Sequence, residues 1–304
     1  MVNKTFNFLI LLLMSAFYLN AQDNVITFYI GSYKVTLLSE GQRTSGTNVL
    51  VGATDEMIRQ AIPGGNYPSA TNVFLVETAD KVVLIDAGLG KKTIDNLELY
   101  GKKTTDVDAI FITHLHGDHI GSLVLDNVKS FPKATLYISK PEYDYYMNDE
   151  TLNNLPENRR GGILNMRKLF DTYKNQLNIF MPGEMDNAKE LLPGLKGVAA
   201  YGHTPGHTGY LLESDDTKLF FWGDLTHAMA IQMPFPDVAM TYDSDTAKAV
   251  ATRQKLLQYV SDNNIRIAGA HIQFPGIGFI KKNALDGYNF SLLCACEGRY
   301  PDVK

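Results

Sequence analysis

The sequence predicts an α/β protein with layered sheets, built as a single domain. Runs of β-branched and aromatic residues alternate with helix-like stretches along most of the chain. Several expected strands end in histidine or aspartate, which indicates that these side chains share loops at one edge of the sheets. No segment rich in Pro, Gly or Ser divides the chain. Residues 22–304 are therefore expected to form one domain.

The first 21 residues have the composition of a secretory signal peptide. Lys4 precedes an apolar run at residues 8–17, which is shorter than the ~20 apolar residues of a membrane-spanning helix. Small and polar residues follow, and cleavage is expected near Ala21. An uncleaved anchor is the alternative. The mature protein is therefore expected to be periplasmic or secreted, without stable membrane association.

The first half of the mature chain is expected to form strands and one short helix. Residues 26–41 and 71–90 carry β-branched and aromatic runs, and the second segment resembles a hairpin that turns at Ala79 and Asp80. Residues 91–101 predict a short helix. Residues 106–113 predict a buried strand that leads directly into a cluster of histidines.

A longer helix is expected before the second set of strands. Its apolar stripe consists of Ile163, Met166, Phe170, Tyr173 and Leu177, at alternating spacings of three and four. This stripe either packs on the core or forms the inner face of a lid over a pocket. The second half of the chain is expected to contain strands at 194–203, 218–224 and 265–271 and a helix at 244–264.

Charge and cysteine content argue against several classes of partner and scaffold. The net charge is −5, and basic residues occur as isolated doublets such as Arg159 and Arg160. Without a basic stripe, a nucleic-acid partner is not expected. Cys294 and Cys296 are separated by one residue, which is too close for usual disulfide geometry, and two thiols make a poor structural zinc site. They are expected to be small buried residues on a late strand, and a strained bridge is left open.

The segment "FITHLHGDHIGS" at residues 111–122 concentrates three of the seven histidines and one aspartate. In extended backbone, residues two apart point to the same side, so His114 and His116 can face one ion together. A turn after this pair directs Asp118 and His119 elsewhere. Imidazole nitrogen and carboxylate oxygen are ligands that zinc prefers. The segment therefore predicts a metal site.

The other histidines follow three further expected strands. The segments "YGHTPGHTGY", "FWGDLTH" and "AGAHIQFPG" contribute His203, His207, Asp224, His227 and His271. The order H-x-H-x-D-H, G-H-T-P-G-H, G-D and a late A-H resembles the metallo-β-lactamase superfamily and covers nearly the whole mature chain. This resemblance implies a four-layer αβ/βα sandwich.

The resemblance also implies two divalent metal ions, with zinc favoured, bound by seven side chains. The first ion would be bound by His114, His116 and His203, and the second by Asp118, His119 and His271, with Asp224 bridging both.

Two further side chains are expected to support these ligands. His203 is preferred over His207 as a ligand because the family's ligand stands at the strand end, before the T/S-P-G-H segment. His207 is then expected to brace the loop. Asp86, in "VLIDAG", resembles the family's first motif and would be a structural carboxylate beside the site.

Within the superfamily, the resemblance favours two relatives. True β-lactamases of this fold generally lack the bridging carboxylate that Asp224 supplies. Nuclease branches insert an extra domain, and glyoxalase II enzymes act on glutathione thioesters, which an exported protein seldom meets. The N-acyl homoserine lactone lactonases remain, together with methyl parathion hydrolase, which is similar in "YGHTPGHT", "WGDLTH", "DSD" and "HIQFPGIG".

One position departs from the lactonase pattern. Many of these lactonases carry a Tyr three residues after the bridging aspartate, placed to donate to the lactone carbonyl, and this chain has His227. An imidazole can fill the same donor role. A packed loop histidine is the alternative.

The resemblance implies hydrolysis of the lactone ring of N-acyl homoserine lactones, which is quorum quenching, and phosphotriester hydrolysis is the alternative. A metal-bridging hydroxide would attack the carbonyl, because a bound ion lowers the pKa of water from 15.7 to about 7. Asp118 would pass a proton to the leaving oxygen.

The partner is thus expected to be a small acyl lactone, and a homodimer is left open. Aromatic and Met residues at 142–149, 163–177 and 231–236 are candidates for binding its acyl chain. A metal-binding protein without activity would be expected to lack a ligand, and none is missing.

Overall fold

The computed structural model describes residues 25–292, and the expected signal peptide, Cys294 and Cys296 lie outside this range. The strands are β1 (Val25–Ile30), β2 (Tyr33–Gly46), β3 (Leu50–Val51), β4 (Asn66–Glu77), β5 (Val82–Ile85), β6 (Ala109–Phe111), β7 (Val124–Leu125), β8 (Val128–Lys129), β9 (Thr135–Ser139), β10 (Leu177–Phe180), β11 (Lys189–Leu192), β12 (Leu195–Ala199), β13 (Thr208–Ser214), β14 (Thr217–Phe221), β15 (Ala239–Met240), β16 (Arg266–Ala268), β17 (Ile277–Lys282) and β18 (Tyr288–Leu292). The α-helices are α1 (Asp55–Ala61), α2 (Lys91–Leu99), α3 (Gly117–Ile120), α4 (Lys140–Met147), α5 (Asp149–Asn154), α6 (Glu157–Tyr173), α7 (Met229–Gln232) and α8 (Thr246–Asp262). Short 3-10 helices span Thr47–Val49, Thr104–Asp106, Lys174–Gln176 and Met185–Asn187. Within residues 25–292, no helix has both the length and the apolar character needed to cross a membrane.

Two seven-stranded sheets form the centre of the molecule. The first has the order β1-β2-β4-β5-β6-β9-β10 and is parallel from β5 to β10. The second has the order β11-β12-β13-β14-β16-β17-β18, in which only β14 and β16 pair in parallel among the described strands. Because parallel strands end at the same edge, the segments that follow β5 and β6 are brought together.

Alternation along the strands places the two sheets face to face. In β4, Phe74 and Val76 belong to the apolar cluster between the sheets, whereas Val73 and Leu75 belong to the cluster on the outer side of the first sheet. This is the period of two expected for a strand buried on both faces. The inner cluster is completed from the second sheet by residues such as Tyr210.

Helices cover both outer faces. On the first sheet, α2 and α6 contribute Leu97, Phe170 and Tyr173 to the outer cluster. On the second sheet, α8 contributes Leu256 and Val260, among others. The resulting order of layers is helix, sheet, sheet, helix, so the predicted four-layer α/β sandwich is confirmed.

Most sequence-based elements are present, and one boundary was wrong. The hairpin at Ala79 and Asp80 joins β4 to β5, and the helices expected at 91–101 and 244–264 are α2 and α8. The expected long stripe ends at Tyr173, since Leu177 lies in β10 and pairs with Leu136 of β9. Sheet pairing there overrides the continued helical spacing. Phe170 and Tyr173 pack in the core, as the first interpretation of the stripe predicted.

Candidate metal centre

The histidine segment leaves β6 and forms one corner of the site. His116 has extended backbone, with φ −76° and ψ 155°, and α3 begins directly after it. His114 and His116 therefore face the same side, and Nε2 of His114 lies 3.0 Å from Nδ1 of His116. The short helix turns Asp118 and His119 toward a neighbouring position, as the sequence predicted.

A first group of ligand atoms forms around this histidine pair. Nε2 of His203, after β12, lies 3.0 Å from Nδ1 of His116 and 3.3 Å from Oδ2 of Asp224. Nε2 of His114 lies 3.6 Å from the same carboxylate oxygen. Three imidazoles and one carboxylate thus converge with a geometry that can hold a metal ion.

A second group lies on the other side of Asp224. Nε2 of His119 is 3.1 Å from Oδ1 of Asp224 and 3.8 Å from Asp118. Nε2 of His271, after β16, is 3.6 Å from Asp118 and 3.2 Å from Oδ2 of Asp224. The structure therefore brings together all seven side chains that the sequence indicated, with Asp224 between the two groups.

The atoms at the centre fit a cation. Nε2 of His119 and Oδ1 of Asp224 are buried and lie 3.1 Å apart, but neither makes a hydrogen bond of good geometry to the other or to another described residue. Burying such groups unpaired costs free energy, so a ligand for both atoms is expected. Imidazole nitrogens and carboxylate oxygens suit a borderline divalent ion.

The pKa shifts of the buried groups also fit a site that stabilises positive charge. Burial lowers the pKa of His116 to about 4 and holds the pKa of His114 well below its usual range. Burial also lowers the pKa of His203, but hydrogen bonds to Asp224 and Asp243 outweigh it and raise the value to about 9. For Asp224, burial raises the pKa, but the surrounding histidines outweigh it and keep the value well below normal. The carboxylate is therefore ionised at neutral pH.

Three ligand histidines are oriented through the ring nitrogen that faces away from the centre. Such contacts fix the tautomer and leave the other nitrogen to bind an ion. The pairs are His119 Nδ1 with Asp86 Oδ2 at 2.7 Å, His203 Nδ1 with Asp243 Oδ1 at 2.8 Å, and His271 Nδ1 with the carbonyl oxygen of Ala70 at 2.8 Å. Asp86 thus has the supporting position that the resemblance implied.

His207 braces the site through the backbone. Its Nδ1–H donates to the carbonyl oxygen of Ala200 at 2.9 Å, and its Nε2 accepts from the backbone N–H of Asp224 at 2.9 Å. The ring is fully buried, and burial lowers the pKa of His207 to about 3. Both nitrogens are therefore engaged by the backbone, whereas Nε2 of His203 faces the first group.

Glu142 of α4 connects two of the ligand-bearing loops. Its carboxylate accepts from the backbone N–H of Leu115 at 3.1 Å, from the hydroxyl of Thr204 at 2.7 Å and from the backbone N–H of Gly206 at 2.9 Å. Leu115 lies between His114 and His116, and Thr204 follows the ligand His203. Glu142 therefore fixes the relative position of the two loops.

His227 contacts Asp224 directly and lines a cavity at the centre. Nε2 of His227 is 2.8 Å from Oδ2 of Asp224, and Nδ1 is buried without a hydrogen-bond partner among residues 25–292. Burial lowers the pKa of His227 to about 4, so the ring carries one proton at neutral pH. With Asp224 and His271 it forms a third group of metal-ligand type.

A cavity of about 450 Å³ opens onto the centre. Among the groups around it are Arg43 and Ser45 of β2, Tyr67 of β4, and Tyr242. Among the described residues that line this cavity, none belongs to 142–149, 163–177 or 231–236. The helices α4 and α6 pack on the outer face of the first sheet, and Met233 and Pro234 line a second cavity beside Ile272. Binding of an acyl chain by these segments stays a prediction.

Several site residues were missed by sequence reasoning. Asp243 lies in the "DSD" motif, which was noted without a role. Glu142 and Arg43 carry no motif, and only the pairing of distant segments brings them to the site. The ring of Tyr242, 4.9 Å from that of His227, likewise follows from tertiary packing alone.

The sequence profile of the metallo-beta-lactamase superfamily matches residues 66–271, which contain all seven clustered side chains. The chain therefore belongs to this superfamily, as its motifs predicted. The uncharacterized protein YobT of Bacillus subtilis (strain 168) is 31% identical over 143 residues. That match covers 46% of this chain and 56% of YobT, so the chain spans little more than half of this relative.

Two solved structures are similar over almost their whole length. One is the hydrolase AbOPH of the beta-lactamase superfamily, with 26% identity, a TM-score of 0.81, and coverage of 89% of this chain and 98% of AbOPH. The other is AidC, a dizinc quorum-quenching lactonase in complex with its product, with 26% identity, a TM-score of 0.80 and the same coverage of both chains. Both are described as hydrolytic enzymes of this fold, and the second as a dizinc enzyme.

Proposed function

We propose that this protein is a binuclear metal hydrolase that opens the lactone ring of N-acyl homoserine lactones. The observation that carries the proposal is the position of Asp224 between the two groups of ligand atoms. Its Oδ1 faces His119 of the second group, and its Oδ2 faces His203 of the first group and His271 of the second. Similarity to AidC over 89% of this chain supports the lactone as substrate.

Two zinc ions are proposed as the resident metals. The first would be held by His114, His116 and His203, the second by Asp118, His119 and His271, and Asp224 would contact both. When bound, such ions supply Lewis acidity that polarises a carbonyl and acidifies water.

Asp118 is proposed to move the proton. Its side chain is 26% exposed, whereas that of Asp224 is 3% exposed, although both residues line the cavity. Burial raises the pKa of Asp118, but the charges of His119 and His271 and a backbone hydrogen bond together outweigh it, and the net shift is downward. The carboxylate is therefore ionised at neutral pH, able to accept a proton from the attacking water and return it to the leaving alkoxide of the opened ring.

His227 is proposed to orient the substrate carbonyl. The ring lines the cavity, and its Nε2–H points to Asp224. If Asp224 directed its oxygens to the proposed ions, this N–H would be left to donate to a lactone carbonyl oxygen beside it. This interaction would strengthen as negative charge develops on the oxygen during attack.

Parallel kinetics on three substrates test the proposal. Zinc-loaded enzyme should hydrolyse a long-chain acyl homoserine lactone with higher kcat/KM than an aryl phosphotriester or a β-lactam. A matched sample with Asp224→Asn controls for contaminating activity. Much higher kcat/KM on the phosphotriester than on every acyl homoserine lactone tried would overturn the lactonase assignment in favour of a phosphotriesterase.

A further inference from the structure

An arginine stands at the mouth of the cavity on the wall formed by β2 and β4. Arg43 is paired opposite Ser69, and Ser45 opposite Tyr67, in an antiparallel register. Residues two apart on a strand share a face, so these side chains and that of Thr71 point the same way. Arg43, Ser45 and Tyr67 all line the cavity.

The guanidinium of Arg43 is held beside the second group of ligands. Nη1 donates to the hydroxyl of Thr71, which anchors one side of the fork. Nη2 lies 3.4 Å from Nδ1 of His271. The Nδ1–H of His271 donates to the carbonyl oxygen of Ala70 at 2.8 Å, so this nitrogen has no lone pair for Arg43. Nη2 therefore faces the cavity with its hydrogen-bonding capacity unused by His271.

Arg43 is one of the cations within residues 25–292 that have no acidic partner. Within residues 25–292, no carboxylate oxygen lies within 4.0 Å of the Arg43 guanidinium. A cation in a cavity wall without an acidic partner is suited to a ligand oxygen.

We propose that Arg43 determines specificity by donating a hydrogen bond from Nη2 to the amide carbonyl oxygen of the acyl homoserine lactone. This inference rests on the proposed function. The amide nitrogen of such a substrate is bonded to the ring carbon next to the carbonyl carbon that is attacked. A ring placed beside Asp224 and His227 thus carries its amide within the same cavity, whose wall includes Arg43.

The test compares two lactones that differ in the amide. One is an N-acyl homoserine lactone, and the other is a γ-butyrolactone with an alkyl chain of equal length on the same ring carbon. In Arg43→Met, the ratio of kcat/KM for the amide substrate to that for the alkyl lactone should fall roughly 10- to 100-fold, the size of one hydrogen bond to a charged group. Most of the change should appear in KM, because this bond exists before and during the reaction.

Two further variants make the test specific. Arg43→Lys keeps the charge and one donor, so it should recover part of the lost ratio. Arg59→Met removes an arginine from α1, outside the cavity lining, and serves as the matched control. Zinc content is measured in all variants, because Arg43 lies close to His271.

The outcomes separate the two proposals. An unchanged substrate ratio in Arg43→Met with zinc content retained would overturn the role of Arg43 while leaving the lactonase assignment intact. Equal losses on both lactones would also overturn it, since they indicate a general effect on the metal centre. Failure of the wild-type enzyme on both lactones would instead remove the proposed function, and this inference with it.

Discussion

Oδ2 of Asp224 is contacted by His227 at 2.8 Å, while His203 and His271 face the same oxygen at 3.3 and 3.2 Å. Nε2 of His114 lies 3.6 Å from the same oxygen, so four imidazoles from four different loops surround it. The contact with His227 is the shortest of the four. His227 therefore holds the orientation of Asp224 as well as bordering the cavity.

Replacement of His227 tests its proposed role as a donor. In His227→Ala, kcat should fall roughly 10- to 100-fold, because one hydrogen bond to the developing oxyanion is lost. Both metal ions should stay bound, and His227→Tyr should restore part of the rate through its hydroxyl. Loss of one ion in His227→Ala would identify the residue as a metal ligand and contradict the donor role.

Metal stoichiometry tests the binuclear assignment. Purified protein should contain close to two divalent ions per chain by elemental analysis, because two groups of ligand atoms share Asp224. Removing the ions with a chelator should lower Tm, since the bound metal stabilises only the folded state. A value near one ion per chain that does not rise with added zinc is incompatible with the proposed mechanism.

Substitution of the shared carboxylate should affect both ions. Asp224→Asn replaces an anion by a neutral amide of similar shape, so metal affinity and kcat should both fall. Asp243→Asn is the matched comparison. Asp243 contacts the ring of His203 at 2.8 Å, and it would affect the proposed metal site through that ring. Its loss of metal affinity should be about 10- to 100-fold and smaller than that of Asp224→Asn. Wild-type turnover in Asp224→Asn would refute the bridging assignment.

His207 is expected to matter for stability more than for metal binding. In His207→Ala, the carbonyl of Ala200 and the N–H of Asp224 lose their partners, at about 1–3 kcal/mol of unfolding free energy for each buried group left unsatisfied. Denaturant unfolding should report this loss. Elemental analysis of the same variant should still find both ions, and the loss of one would show that His207 is the ligand in place of His203.

Acyl-chain length provides a test of the substrate class. Each buried methylene contributes about 0.8 kcal/mol, which is roughly fourfold in kcat/KM, until the apolar space is filled. The cavity of about 450 Å³ has apolar surface from Val49 and the rings of Tyr67 and Tyr242. Catalytic efficiency should therefore rise with chain length and then level off. A series of lactones with no dependence on length would argue against an acyl site.

The candidate ligands could be predicted from sequence because they are encoded locally. Extended backbone at His114 and His116, followed by a turn, is a short-range property of "HLHGDH". The strand ends near residues 200 and 222 could be recognised in the sequence as changes from apolar to polar residues. The helical spacing gave a wrong prediction at Leu177. The apolar repeat continues past the end of α6 into β10, which pairs with β9 in the sheet.

The sequence by itself determined the superfamily, the layered α/β fold and the seven side chains of the candidate metal centre. Only the tertiary structure decided that Glu142 ties two loops together, that His227 contacts Asp224, and that Arg43 borders the cavity. These relationships depend on the register of β2 against β4 and on the packing of α4 against loops far away in the chain. Local spacing carries no information about either, because both are set by burial of apolar faces contributed by distant segments.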